Sequence, residues 1–197
     1  MPSSSVKRVC VYCGSSEKCA LNYLEAAREL GDAFARAGMT VVYGGGRAGL
    51  MGRIADGALA AGGTVLGILP RFMDDVEWGH TGVQELRLVD DMHERLRAMK
   101  QEADAFVALP GGCGTLDELF QTITWKRLGL HVGPIVIVNI DGFFDPCLDM
   151  LQRCIDAKFM SPGHREMWTV VSSAAEVVPA LLAAPGWVPR GIEFAKP

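Results

Sequence analysis

Residues 105–118 read Ala-Phe-Val-Ala-Leu-Pro-Gly-Gly-Cys-Gly-Thr-Leu-Asp-Glu. The apolar run Ala105 to Leu109 suits a buried parallel strand. After it, Leu119, Phe120, Ile123 and Leu128 keep a helical spacing. Gly111, Gly112 and Gly114 therefore sit at a strand-to-helix turn. Glycine lets a backbone approach a ligand closely. A helix start supplies unpaired N–H groups and a positive dipole end, so phosphate is the natural occupant. Thr115 and Glu118 also fit a T-x-x-E capping box, which would explain the acid without any chemistry. The other reading places Glu118 one ribose away from the phosphate, where a carboxylate can act on a sugar.

The pattern of this unit repeats along the chain. Expected strands are Val6 to Cys13, Thr40 to Tyr43, Thr64 to Leu69, Leu86 to Val89, Ala105 to Leu109, Pro134 to Asn139 and Thr169 to Val171. Expected helices are Leu21 to Ala37, one from the second glycine turn to about Ala61, Met92 to Ala103, Thr115 to Leu128, Phe143 to Lys158 and Ala174 to Leu182. Arg71 to Gly82 reads as a loop, and the tail from Pro185 to Pro197 as loose or draped. Alternation of this kind predicts an α/β fold: a doubly wound, Rossmann-like, mostly parallel sheet of about seven strands with helices on both faces. With 197 residues, one domain is expected over 1–197, its core spanning about 6–182.

Composition narrows the function. The net charge is −4 with no basic block, which argues against a nucleic-acid surface but not against a local anion pocket. No apolar run approaches 18 residues and Val9 to Tyr12 is too short for a signal-peptide core, so no membrane partner and a cytoplasmic location are expected. The six cysteines read as structural thiols; Cys10-x-x-Cys13 lies along an apparent buried strand and no second pair follows at ligand spacing. The histidines at 80, 93, 131 and 164 are scattered, so no metal and no other cofactor is expected.

Ligand contacts should come from strand carboxyl ends. Gly14 and Ser15 follow the first strand, with a serine N-cap as the alternative. Gly44 to Gly52 is a second glycine-rich turn, from which Gly45 and Gly46 are candidates. It lacks the spacing of a dinucleotide fingerprint and the Gly-Lys-Ser/Thr ending of a P-loop. Glu77 and His80 fall in the 71–82 loop, where solvated side chains are the plain expectation. Asp91 reads as an N-cap with Glu94 at the capping-box position. Arg95, beside the apolar stripe of that helix, is either solvated or able to reach the mouth of the sheet.

Pro110-Gly-Gly-x-Gly-Thr-x-x-Glu118 resembles the signature of the LOG family, the cytokinin-activating 5′-monophosphate phosphoribohydrolases, whose members are often mislabelled lysine decarboxylases. Tyr12 to Ser16, Gly44-Gly45-Gly46 with Gly49 to Gly52, Met92 to Arg95 and Ile123 to Trp125 fall in that family's order, so the resemblance runs from about Val6 to Val178. It implies hydrolysis of the N-glycosidic bond of N6-modified adenosine 5′-monophosphates, or of AMP, to free base and ribose 5-phosphate. Glu118 and Arg95 would be catalytic. Gly111, Gly112, Cys113, Gly114, Thr115, Asp117, Met92 and Glu77 would meet the substrate together with Gly14, Ser15, Gly45 and Gly46. The chain departs from the family at Leu96, where a lysine is usual, so one cation is missing. The family forms dimers at least, and a homodimer built partly on the helix after Thr115 would bring Thr124 near the neighbour's site.

Chemistry supports these roles. Glycosidic cleavage passes through an oxocarbenium-like sugar, which a carboxylate can stabilise while orienting or deprotonating water. An arginine remains charged at working pH, so it orients and stabilises charge rather than donating a proton. The group that protonates the departing base is left open. Two other readings stand beside this one. A non-catalytic nucleotide or phosphorylated-cofactor carrier could use the same fold, as molybdenum-cofactor carriers do. A pyridoxal-phosphate decarboxylase would need a lysine, and neither glycine turn holds one.

Overall fold

Strand β1 (Arg8–Tyr12) lies at the centre of a seven-stranded sheet. In the computed structural model, which describes residues 6–76 and 78–187, it pairs with β2 (Thr40–Tyr43) on one side and β5 (Ala105–Ala108) on the other. The sheet continues outward through β3 (Val65–Pro70) and β4 (Glu85–Val89), and in the other direction through β6 (Ile135–Val138) and β7 (Thr169–Val171). Its order is β4-β3-β2-β1-β5-β6-β7, and every pairing is parallel. The expected α/β class and strand number are therefore observed.

All-parallel sheets need both faces covered, and the strands divide their side chains accordingly. Val9, Val11, Val41, Val107 and Val136 join one core with helices α1 (Leu21–Arg36) and α2 (Gly49–Ala60). Cys10, Tyr12, Val42, Phe106 and Ile137 join the other with α4 (Met92–Gln101), α5 (Cys113–Arg127) and α6 (Asp145–Asp156). This period of two explains why the central strands are apolar and buried on both faces beyond their first residues, Arg8 and Thr40.

Three expectations need correction. Arg71 to Gly82 is not all loop: a one-turn helix, α3 (Arg71–Asp74), follows Pro70 directly. The helix expected from Phe143 starts later, after a 3-10 turn at Ile140–Gly142, because Asp141 and Gly142 take positive φ values of 51° and 72°. The last helix opens as a 3-10 turn at Ala174–Glu176 before α7 (Val177–Ala183). Of the tail, Pro185 to Trp187 are described, and the Trp187 indole N–H donates to the Lys126 carbonyl at 3.2 Å.

The winding fixes the site. The chain moves outward from β1 to β4, then returns to the far side of β1 for β5. Between the carboxyl ends of β1 and β5 the connections diverge, and a crevice opens.

Candidate active site

Three turns meet at this crevice. The Gly14 N–H donates to the Pro110 carbonyl at 3.1 Å, joining the β1 and β5 turns. The Gly14 carbonyl accepts from Leu50 N–H at 3.0 Å and Met51 N–H at 3.3 Å, joining the start of α2. At Gly111 a Cβ would collide with Thr115 Oγ1 and approach Gly14 N to 2.8 Å. This glycine is required by close packing of the protein on itself.

Gly112 and Gly114 differ. A Cβ built on either meets nothing within 4 Å. Gly112 is the N-cap of α5, with φ −90° and no side-chain cap. The first N–H returned to the helix is that of Leu116, to the Gly112 carbonyl at 3.1 Å. The N–H groups of Cys113, Gly114 and Thr115 precede the intrahelical ladder, at the positive end of a 15-residue helix.

The capping-box reading of Glu118 does not fit this geometry. Thr115 is buried within the first turn and is not the N-cap. The Glu118 side chain instead meets Arg95, whose Nη1 donates to Oε1 at 3.0 Å. Both residues are almost fully buried, at 6% and 7% exposure. Burial raises the Glu118 carboxyl, and the Arg95 guanidinium offsets only part of that rise. Arg95 is itself fixed: Nε donates to the Ile68 carbonyl at 3.1 Å. Its Nη2 lies where a Cβ on Gly44 would stand, so only glycine leaves that space. Helix α4, which carries Arg95, is capped as expected by Asp91, which accepts from Glu94 N–H at 2.8 Å. Glu94 reaches back to Asp90 N–H rather than to that of Asp91.

The pair faces a cleft of about 390 Å³. Of the residues singled out in the sequence, Gly14, Ser15, Gly46, Met92, Arg95, Gly112, Gly114, Thr115 and Glu118 all line it. Others do not. Gly111 lines a neighbouring cavity of about 300 Å³ beside Tyr23 and Phe143. Gly45, at φ +78°, turns toward Leu69 and Leu86 and shapes the turn. Cys113 is exposed on the first residue of α5 and is not a lining residue. Asp117 is exposed and accepts from the Gln121 amide through both oxygens at 3.0 Å. Thr124 is exposed on α5 outside the cleft. Glu77 lies outside the described residues.

His80 is held for structure. One ring nitrogen meets Asp56 at 3.1 Å and the other accepts from Gly82 N–H at 3.1 Å. Cys10 and Cys13 are buried, and burial pushes both thiols up, away from the reactive thiolate. Among the described residues no His, Cys, Asp and Glu side chains gather as a metal cluster. Sequence reasoning missed Gly44, whose role depends on a side chain more than fifty positions away. It also missed the apolar wall of Leu69, Met73 and Trp78, which comes from the end of β3, the one-turn helix α3 and the loop after it, and so shares no periodicity.

An uncapped helix N-terminus and a buried acid–arginine pair share one switch-point cleft of a doubly wound α/β protein. The family model described as "Possible lysine decarboxylase" matches residues 51–181. The cytokinin riboside 5′-monophosphate phosphoribohydrolase LOG3 of Arabidopsis thaliana is 39% identical over 92% of this chain and 84% of its own. LOG7 of the same plant is 40% identical, covering 89% and 81%. The LOG protein of Oryza sativa subsp. japonica is 41% identical, covering 89% and 72%. The chain belongs to this LOG phosphoribohydrolase family. Among solved structures, the molybdenum cofactor binding protein of Rippkaea orientalis superposes with a TM-score of 0.67 at 21% identity, over 89% of this chain and 96% of that one. The carrier protein MCP of Chlamydomonas reinhardtii gives 0.65 at 23%, over 88% and 94%. These likenesses concern the fold.

Proposed function

We propose that the protein hydrolyses the N-glycosidic bond of adenosine 5′-monophosphates, N6-modified ones included, releasing the free base and ribose 5-phosphate. The observation that carries this reading is the buried Glu118–Arg95 pair in the same cleft as the open N-terminus of α5. The 5′-phosphate sits against the N–H groups at Gly114 and Thr115, which need no reorganisation to receive it. That places the ribose against Glu118. As the C1′–N bond lengthens, positive charge develops on the sugar and the carboxylate stabilises it. Glu118 orients water and takes its proton as oxygen bonds to C1′. The base leaves with the bonding electron pair and gains one proton, so the balance is one water per substrate. Arg95 keeps the acid in place and ionised against its burial.

The description of the family model would suggest a different reaction. A pyridoxal-phosphate decarboxylase needs a lysine amine beside its cofactor. Among the described residues no lysine lines the cleft; the buried Lys100 donates to Gln121 and the buried Lys126 to the Gly133 carbonyl. A pure carrier would have no use for a carboxylate facing its anion.

The same reading includes a homodimer. Phe120 on α5, with Leu128, Leu130 and Val132 just beyond it, leave apolar surface exposed that a second copy would cover. The exposed Thr124 would then approach the partner's cleft. Six free cysteines suit a reducing, cytoplasmic compartment, and no described helix is long and apolar enough to cross a membrane. The deciding experiment is chromatography after incubation with AMP, N6-isopentenyl-AMP and their nucleosides. Base and ribose 5-phosphate should come from the monophosphates. No release from either monophosphate would end the proposal.

A further inference from the structure

The cleft has a direction. Its phosphate end is the start of α5, at the carboxyl end of β5. In the middle Arg95 bridges from the Ile68 carbonyl on β3 to Glu118 on α5. The far end lies over β3, beyond β1 and β2. Three strand spacings, about 14 Å, seat a phosphate, a ribose and a base in series. The base end is walled by Leu69, Met73, Trp78 and Met92. Trp78 is the one aromatic side chain lining the described cleft, and it is 56% exposed there.

An exposed indole on a loop would ordinarily carry little weight. This loop, however, is fastened to the second glycine turn. Arg47 N–H donates to the Trp78 carbonyl at 3.0 Å, and His80 N–H to that of Gly45 at 3.0 Å. Gly46 and Gly79 form a bridge between these two bonds. The Trp78 N–H returns to the Met73 carbonyl at 3.2 Å, which ties it to α3. Backbone bonds on both sides of Trp78 thus hold its indole in the lining of the cleft, at the end away from the start of α5, and an aromatic ring held there can serve as a platform for a planar base.

From this geometry we infer that Trp78 is the stacking platform for the purine of the substrate, and that it sets the enzyme's preference for an aromatic base. The inference rests on the phosphoribohydrolase reading and adds the residue that recognises the base. Met73 and Met92 line the same cleft and add adaptable apolar surface, so a ring bearing an apolar substituent is accommodated as well as a bare one.

The test uses the full chain, with AMP as the stacked ligand and ribose 5-phosphate as the ligand without a base. Trp78→Ala should weaken AMP binding roughly 5- to 100-fold, on the scale of base–aromatic stacking. Inhibition by ribose 5-phosphate should stay unchanged, since that ligand never reaches the indole. Trp78→Phe should retain most of the AMP affinity. Saturating AMP should quench wild-type tryptophan fluorescence, and Trp78→Phe, which keeps Trp125, Trp168 and Trp187, should lose that quench. This readout does not require turnover. Equal AMP affinity in Trp78→Ala and wild type overturns the inference. So does equal weakening of AMP and ribose 5-phosphate, or a change in oligomer mass, either of which would make Trp78 a structural or interface residue. Failure of the wild type to bind AMP would instead overturn the phosphoribohydrolase reading beneath it.

Discussion

Adding one methyl group at Gly114 should separate the fold from the function. Gly114 is the second residue of α5, and a Cβ there meets nothing within 4 Å. Alanine in a helix is favoured over glycine by about 0.5–1 kcal/mol. In a domain of this size that raises Tm by roughly 1–4 °C. The same methyl projects into the space where the 5′-phosphate would approach the helix N–H groups. Losing one hydrogen bond to a charged group costs about 1.5–3 kcal/mol, or roughly 10- to 150-fold in kcat/KM for AMP. Turnover of adenosine, which has no phosphate to displace, should barely change.

The comparison is Gly111→Ala, three residues earlier in the same turn. There a Cβ collides with Thr115 Oγ1 and stands 2.8 Å from both Thr115 Cβ and Gly14 N. Overpacking of this kind costs about 1–3 kcal/mol, so Tm should fall. Thermal melts with kcat/KM for AMP and adenosine cover all three proteins. An unchanged kcat/KM for AMP in Gly114→Ala would refute the phosphate assignment, since the space would then be empty without purpose. A lower Tm in that variant would refute the geometry itself.

Glu118→Gln keeps the shape and an acceptor for Arg95 but removes the charge, so turnover should fall by roughly 10²-fold or more with the fold intact; near-normal turnover would reduce Glu118 to a structural residue. Because burial raises the Glu118 carboxyl above 4.5, activity should be present above that raised value and lost as pH falls through it; an acid limb of kcat/KM below 4.5 would contradict this. His131 is held down at about 4 by burial and by Lys126, and its Nε2 accepts from Gly133 N–H at 3.0 Å. Its stabilising contribution is full above 6.5 and disappears as pH falls toward 4, so His131→Gln should flatten that part of the Tm–pH curve; parallel curves would exclude the residue. Light scattering at micromolar concentration should give twice the chain mass, and a monomer mass would remove the proposed α5 interface.

The elements were legible where one signal decided them. Thr40–Tyr43 and Thr169–Val171 are bounded as expected, because apolar β-branched runs between polar turns admit little else. The start of α5 was placed at Thr115 instead of Cys113, since a capping box was read where the actual N-cap is a glycine with no side chain to announce it. That Gly112, Gly114, Glu118 and Arg95 would face one cleft was legible, because the turns and helices that carry them follow strand carboxyl ends in a doubly wound fold. Asp117, Cys113 and Thr124 share that stretch of sequence yet lie outside the cleft, because a helix turns successive side chains away from one another. The apolar wall at Met73 and Trp78 depends on a one-turn helix and the path of the loop after it, too short for any periodicity to show.

In the proposed function, the charge balance of the cleft lets an acid stand next to a phosphate. Glu118 is buried beside a single arginine, and Leu96, the next residue on α4, is buried in the core and offers no second cation. Lys100, one turn further on, is also buried but is committed to Gln121 at 3.0 Å and to the Trp125 ring at 4.6 Å. A phosphate arriving at α5 makes the field at Glu118 more negative. The helix N–H groups compensate the phosphate locally, not the carboxylate. In the ground state the ribose between them is neutral, so this negative field is unrelieved. In the transition state the same ribose carries positive charge midway between two anions, and the field that opposed binding now favours reaction. Stabilisation therefore appears only as the bond breaks, which is the condition for raising kcat rather than merely lowering KM. A fuller set of cations would bind the substrate more tightly and weaken that difference. If Glu118 and Arg95 act as proposed, leucine in place of lysine at position 96 should cost affinity before it costs turnover.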